Sequence, residues 1–438
     1  MKAFFARKEL FVAGGTINRS KLRCPIHNYH IMKMKKISTL LVGAAVLLAV
    51  GCTGKPKNNM QYRPLGDTGL LVSEISIGCG GFGHLDSAAS LQLMTTALDS
   101  GMNYIDIYDA DPTVRSNIGY ALQGRRDEMV IQGHIGSVWQ DGQYKRTRDL
   151  EETRAGFEDL LARLGTDHIE VGMIHITDSP EEWLELEGSP FLDYVFQLKR
   201  EGKIKHIGVS SHNAEVALMA AKSGWIEVIM FSLNPAFDRL RGGATPWTEG
   251  AMDNLQAGID PVRVEFYDYC ASHKIGVTVM KTFGGGGRLL DAARSPLGVA
   301  YTPEQCIAYC LAKPCISTCI LGIDNMDELQ ADLHWLQATD EEKDYSTVGR
   351  KQEVALGGDC TYCNHCSPCS VGIPIARVNE LLDQAELSGL TADLQAQYDA
   401  LPHHASECTH CGACLSRCPF GVDIPTRMDA AAGMFEKK

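Results

Sequence analysis

From about residue 60 to residue 338, short apolar runs alternate with longer segments whose apolar residues recur every three or four positions. A run of the first kind suits a strand buried on both faces, and a segment of the second kind gives a helix one apolar stripe. On that basis strands are predicted at Ile75–Cys79, Asn103–Ile107, Met129–Gly133, Ile169–Ile174, Ile204–Val209, Val228–Phe231, Ile275–Met280 and Thr318–Leu321. Helices are predicted between them, at Ser90–Ser100, Leu150–Leu164 and Asn325–Leu336 among others. Eight strand–helix repeats in about 270 residues give an α/β fold of the (β/α)8 TIM-barrel type over residues 60–338. A doubly wound open sheet fits less well, because Gly78-Cys79-Gly80-Gly81 lacks the glycine spacing of a dinucleotide turn. Ahead of the first strand, Tyr62–Pro64 and Leu70–Val72 flank a Gly-Asp-Thr-Gly turn, a hairpin expected to cap the bottom of the barrel.

The pattern fades over residues 339–357, a polar stretch read as a linker, and changes kind beyond it. Cys360, Cys363, Cys366 and Cys369 follow one another at three-residue steps; 38 residues later come Cys408, Cys411, Cys414 and Cys418-Pro419. The second run has the spacing of bacterial ferredoxins, in which three close thiolates hold one [4Fe–4S] cluster and the fourth cysteine serves the other. That rule assigns Cys360, Cys363, Cys366 and Cys418 to one cluster, and Cys408, Cys411, Cys414 and Cys369 to the second. Residues 358–432 are therefore expected to form a small α-helical dicluster ferredoxin-like domain, with a disulfide framework or two zinc sites as alternatives. Cys306, Cys310, Cys315 and Cys319 fall on a predicted helix and strand and read as small buried hydrophobes, as do Cys79 and Cys270.

The chain carries 16 cysteines in 438 residues and a formal charge of −13, unevenly spread. Residues 1–51 hold nine Lys/Arg and one acid, leaving 32 bases against 53 acids in the rest, a net of −21. A body so acidic repels a phosphate backbone, and nucleic acid is excluded as a partner. Near the N-terminus, Lys33, Lys35 and Lys36 precede an uncharged run from Ile37 to Gly51. As a helix that run would rise about 22 Å, short of a bilayer core, so residues 1–51 read as leader and signal peptide. Leu-Ala-Val-Gly-Cys at 48–52 resembles the lipobox of bacterial lipoproteins, which implies a lipid anchor at Cys52 and a bacterial membrane location. Lys35-Lys36 is not the twin arginine expected of a protein exported with clusters already in place, so a cytoplasmic location is the alternative.

Several stretches resemble, in order, the landmarks of aldo/keto reductases: YRPLGDTGLLVSEISIGCGGFG at 62–83, GMNYIDIYDADP at 101–112, IEVGMIHITD at 169–178, EGKIKHIGVSSHN at 201–213 and LGIDNMDELQADL at 321–333. With the cysteine tail the resemblance is to the ferredoxin-carrying branch of that family. It implies carbonyl reduction with NAD(P)H at the C-terminal mouth of the barrel, through a tetrad of Asp, Tyr, Lys and His. Asp106 and His175 stand at the aspartate and histidine positions, whereas Asp111 replaces the tyrosine and His134 the lysine. Hydride addition leaves an alkoxide that must be protonated, so the expected acid is His175 or His134 oriented by Asp106, with Tyr108 able to swing into the vacant place. The same groups with Asp111 could instead ligate zinc or iron.

The resemblance further places Ser210, Ser211 and Asn234 beside the nicotinamide, and Lys281, Thr282 and the glycines 284–287 near the pyrophosphate. Gly322 and Asn325 fall in the segment that grips the adenosine phosphate, where Asp324 supplies an acid and no base; NADH is therefore favoured over NADPH. The sequence thus describes an atypical iron–sulfur oxidoreductase acting on a small carbonyl or alcohol, with two [4Fe–4S] clusters and a possible redox partner protein. A nicotinamide moves two electrons together and a cluster moves one, so direct exchange between them requires an intermediary that the sequence does not reveal. The alternative is an altered barrel that only binds a ligand or transfers electrons.

Overall fold

The computed structural model describes residues 59–140, 142–256, 258–346, 348, 360, 366–418 and 421–436. The apolar run 37–51 with Cys52, most of the linker and Cys363 lie outside these residues. Among the described residues no helix is long and apolar enough to cross a membrane. The described residues form twelve strands: β1 Tyr62–Pro64, β2 Leu71–Ser73, β3 Ile75–Gly78, β4 Tyr104–Ile107, β5 Val130–Ile135, β6 Ser137–Gln140, β7 Gln143–Arg146, β8 Ile169–Ile174, β9 Ile204–Ser211, β10 Val228–Ser232, β11 Gly276–Met280 and β12 Ile316–Gly322. Eight of them close in the order β3-β4-β5-β8-β9-β10-β11-β12, every neighbouring pair parallel. This is the predicted (β/α)8 barrel, and its strands fall within a few residues of the runs read from the sequence.

Strand alternation divides the core in two. Ile75, Ile77, Ile105, Ile107 and Ile131 point outward into one large cluster with the surrounding helices. Tyr104, Val171, Met173, Val228, Met230, Met280 and Ile320 point inward and fill the barrel. Leu65 and Val72, from the β1–β2 hairpin, join that interior cluster and are fully buried, so the hairpin does plug the bottom. Gly66 lets it sit there: its φ is +58°, and a Cβ would come within 2.4 Å of the Gly276 nitrogen. The helices start where side-chain caps allow. Asp149, Ser179, Ser189, Asn213 and Thr302 each accept a first-turn N–H, and Pro112, Pro180, Pro190, Pro261 and Pro303 each occupy a first helical position.

The antiparallel hairpin β6–β7 was not foreseen. It follows β5 directly and pairs Trp139 with Tyr144. Its root is tied down: Arg115 Nη2 donates to the Ser137 carbonyl at 3.2 Å, Ser137 Oγ to the Tyr108 carbonyl at 2.7 Å, and Thr147 N to the Gly136 carbonyl at 2.9 Å.

After the linker region, where Asp340–Lys343 forms a short capped helix, the C-terminal residues build helices at Ile375–Ser388, Ala392–Asp399 and Ile424–Phe435. These have their own core of Val378, Leu381, Leu382, Tyr398, Met428 and Ala431. The first of the three docks on the barrel helix Pro261–Ser272, where Asp268 Oδ2 accepts from Arg377 Nη1 at 2.8 Å and Gln384 Nε2 at 3.1 Å.

Candidate active site

The C-terminal ends of the barrel strands open into a cleft of about 850 Å³. Gly78, Asp106, His134, His175, Ser210, Met230, Met280 and Gly322 line it, one from the end of each strand or just past it. The inward phase that carries Tyr104 into the interior carries Asp106, two residues on, into the cleft. The same phase takes Gln132 to His134 on β5, and Val171 through Met173 to His175 on β8.

These side chains form one hydrogen-bonded line. Asp106 Oδ1 accepts from Gln132 Nε2 at 2.6 Å and lies 3.0 Å from His134 Nε2. Gln132 is itself fixed, its Oε1 accepting from Tyr104 Oη at 2.6 Å and from Thr278 Oγ1 at 3.3 Å. His134 Nδ1 stands 2.6 Å from His175 Nδ1, and His175 Nε2 stands 2.5 Å from the hydroxyl of Tyr144. Because a carboxylate only accepts, His134 must carry its proton on Nε2. Its Nδ1 is then an acceptor, so His175 is protonated on Nδ1 and presents a bare Nε2 to the Tyr144 O–H. Every ring nitrogen in the line is thereby occupied.

The surroundings favour a neutral imidazole at His175. Burial, then the neighbouring His134, Arg148 and Arg146, hold the His175 pKa well below its ordinary value. Burial raises the Tyr144 phenol, against the opposing pull of Arg146 and Arg148. Arg148 also fixes the corner after β8: its Nη2 donates to the carbonyls of His175 at 2.6 Å and Ile176 at 2.8 Å. Ile176 has φ +43°, a costly conformation for a β-branched residue, and Ser210 Oγ accepts its N–H at 2.8 Å.

The predicted residues divide. Asp106, His134 and His175 come together, but neither histidine is left with a free nitrogen for a substrate oxygen. Asp111 is not in the cleft lining; its carboxylate caps the helix Pro112–Ala121 by accepting from Thr113 N at 2.7 Å. Tyr108 lines the cleft, where burial raises its phenol. Ser210, Lys281, Thr282 and Gly322 line it as well. Burial lowers the Lys281 ammonium pKa despite Asp106, and the Thr282 hydroxyl is buried without a partner among the described residues. Gly285, Gly286 and Gly287, all with positive φ, form another part of the wall. Ser211, Asn234 and Asn325 instead hold backbone: Ser211 Oγ accepts from Asn213 N, Asn234 Oδ1 from Ala236 N and Phe237 N, and Asn325 Oδ1 from Glu328 N. The line's outer member, Tyr144, escaped the sequence reading. Its signal was the dipeptide Asp141-Gly142, a strong marker for a two-residue hairpin turn.

In the C-terminal module, Cys369, Cys408, Cys411 and Cys414 line one small cavity with Ser370, and the Cys411 sulfur lies 3.3 Å from Ser370 Oγ. Cys360, Cys366 and Cys418 pack in or against the module's core. Among the described residues no three His, Cys, Asp or Glu side chains are drawn tightly enough together to hold a metal ion. The cavity nonetheless gathers one cysteine from the first run with three from the second.

Residues 74–239 match the model of the Aldo/keto reductase family. An oxidoreductase, YqkF, of Bacillus subtilis (strain 168) is 26% identical over 312 residues, spanning 67% of this chain and 98% of that protein. The aldo-keto reductase YhdN of the same organism is 29% identical over 165 residues, covering 36% of this chain, which spans about half (48%) of that relative's length. The holo structure of aldo-keto reductase AKR11C1 from Bacillus halodurans superposes with a TM-score of 0.51 at 23% identity, covering 65% of this chain and 95% of that one, a likeness of fold. Barrel, matched segment and relatives agree: the chain is an oxidoreductase similar to the aldo/keto reductases.

Proposed function

We propose that the chain interconverts a small carbonyl compound and its alcohol in the cleft at the barrel mouth, using a nicotinamide coenzyme. The observation that carries this reading is the hydrogen-bonded line from Asp106 to Tyr144, which ends in the cleft and can exchange a proton with a substrate oxygen. The lining suits a coenzyme. Met230, Met280 and Ile320 offer an apolar wall, the buried Thr282 hydroxyl lacks a partner, and the open glycines expose backbone N–H groups suited to phosphate. When bound, the dihydronicotinamide would supply hydride to the carbonyl carbon. Asp324, Glu328 and Asp332 line one end of the cleft and would repel a 2′-phosphate, favouring NADH.

The second part of the proposal is that the eight C-terminal cysteines hold two [4Fe–4S] clusters that pass single electrons to a redox partner protein. Support comes from the ferredoxin spacing and from the shared cavity of Cys369, Cys408, Cys411 and Cys414. Anchoring of the chain to a bacterial membrane through Cys52 belongs to the same proposal and rests on the lipobox-like segment. Anaerobic purification of the full chain, iron and sulfide assay, and fluorescence titration with NADH and NADPH test these readings. About eight irons per chain and tighter NADH binding are expected. A colourless, iron-free protein refutes the clusters, and failure to bind either nicotinamide refutes the barrel chemistry.

A further inference from the structure

Tyr144 is carried by the β6–β7 hairpin and belongs to none of the barrel strands, yet its hydroxyl is the outermost member of the line that begins at Asp106. Among the described residues two phenols line the cleft, Tyr108 and Tyr144. No hydrogen bond to the Tyr108 hydroxyl occurs among the described residues, so nothing stands behind it to take or return a proton. Tyr144 has His175 behind it, His134 behind that, and a buried carboxylate at the end. The hairpin holds it in place: Arg146 pairs with Glu182 at 2.5 Å, and Arg148 donates to the backbone of His175 itself. A tyrosine meant only to cover the barrel would not need its oxygen aimed at an imidazole nitrogen.

We propose that Tyr144 is the catalytic residue that exchanges a proton with the substrate oxygen, and that His175, His134 and Asp106 are positioning and relay groups behind it. This rests on the carbonyl–alcohol reading above. In the oxidative direction the substrate hydroxyl gives its proton to Tyr144 Oη as the carbon–hydrogen bond breaks; an oxidised nicotinamide, when bound, would take up the hydride with its electron pair. Tyr144 passes its own proton to the bare Nε2 of His175. The resulting imidazolium passes positive charge to His134 through the Nδ1–Nδ1 hydrogen bond, and the Asp106 carboxylate balances it. Reduction runs the same transfers backward and consumes one proton from solvent. The groups that face His175 are His134, Tyr144, Arg146, Arg148 and His212, and those that act on Tyr144 are Arg146, Arg148 and Asp109.

The test uses the full chain, with 4-nitrobenzaldehyde as carbonyl probe and 3-fluorotyrosine placed at position 144. In Tyr144→Phe the kcat for NADH-dependent reduction is expected to fall about 10²–10⁴-fold, with NADH affinity unchanged within twofold, while Tyr108→Phe loses less than tenfold. The fluorine resonance at position 144 is expected to shift, together with its ionisation midpoint, in His175→Phe. Reduction retained within threefold in Tyr144→Phe overturns the proposal, as does a fluorine signal indifferent to His175→Phe. A parent protein that binds no NADH instead sinks the underlying nicotinamide reading, and the fluorine measurement still decides whether the relay exists.

Discussion

Replacing Asp106 with Asn isolates the charge at the inner end of the relay from its hydrogen bonds. Both donors, Gln132 Nε2 and His134 Nε2, meet the same oxygen, Oδ1, and an amide oxygen in that place accepts from both. The tautomers therefore survive the substitution, and what disappears is the negative charge facing the imidazolium as it first forms at His175, before its charge moves to His134. That histidine lies one ring beyond His134, with contacts of 3.0 Å and 2.6 Å on either side of the ring, so the charges are separated by about 7 Å. At an effective dielectric of about 20, their attraction is about 2 kcal/mol. If all of it acts in the transition state, kcat falls about 30-fold. The side chains are almost fully buried, so salt should not screen the effect. The assay is steady-state kcat in both directions, with the NADH dissociation constant measured beside it. A change in kcat below threefold, or one confined to KM, refutes the reasoning. Asp106→Ala is the contrasting variant. It leaves two buried donors unsatisfied and is expected to lower stability by about 2–6 kcal/mol as well.

Other consequences are open to measurement. His175 is held neutral in the fold, so an unfolded chain binds its proton first; stability is expected to fall by up to about 1.4 kcal/mol per pH unit below pH 6.5, and His175→Gln should flatten that slope in urea titrations. Asp332 behaves oppositely, because burial and the nearby Glu328 and Glu304 raise its pKa to about 7. Its folded form binds the proton more tightly, so stability is lost as pH rises from about 4 to 7, and Asp332→Asn should raise Tm at pH 8 but not at pH 4. Asp324→Arg should shift the ratio of NADPH to NADH affinity at least tenfold toward NADPH; an unchanged ratio would separate that end of the cleft from coenzyme binding. Cys369→Ala and Cys414→Ala should each remove the same half of the iron, and the double variant no more; additive loss would break the crossed assignment.

The barrel was legible because its signal is redundant. Each strand, buried on both faces, must be apolar along its length, and eight such runs at regular spacing leave little choice of topology. Asp106, His134 and His175 were legible for the same reason: each ends or follows an apolar run, and in a barrel that position fixes the mouth. Asp111 misled because sequence position alone does not give direction. One turn past the strand end, its carboxylate found a helix N-terminus to cap. Ser211, Asn234 and Asn325 likewise spend a side-chain oxygen on local backbone, as short polar side chains beside loops commonly do.

Tyr144 was illegible for a different reason. It lies on a solvent-side hairpin of four-residue strands, Ser137–Gln140 and Gln143–Arg146, whose composition carries no hydrophobic period, and only the Asp-Gly turn marks it. Its importance arises from contact with His175, 31 residues away, which no local pattern encodes. Where the resemblance to aldo/keto reductases places a phenol after the second barrel strand this chain has Asp111, and the proposal above puts the reacting phenol on the hairpin after the third barrel strand instead. A histidine at position 134 has no ammonium to sharpen a neighbouring phenol, but it can transmit a proton between two partners, as a lysine cannot once its three donors are engaged. A site built that way needs its phenol at the far end of an imidazole pair instead of next to the aspartate, and the hairpin delivers it there. Substituting His134 by Lys should consequently not restore an ordinary reductase. It would place a cation against Asp106 while severing His175 from the carboxylate, and kcat should fall as far as in Asp106→Asn.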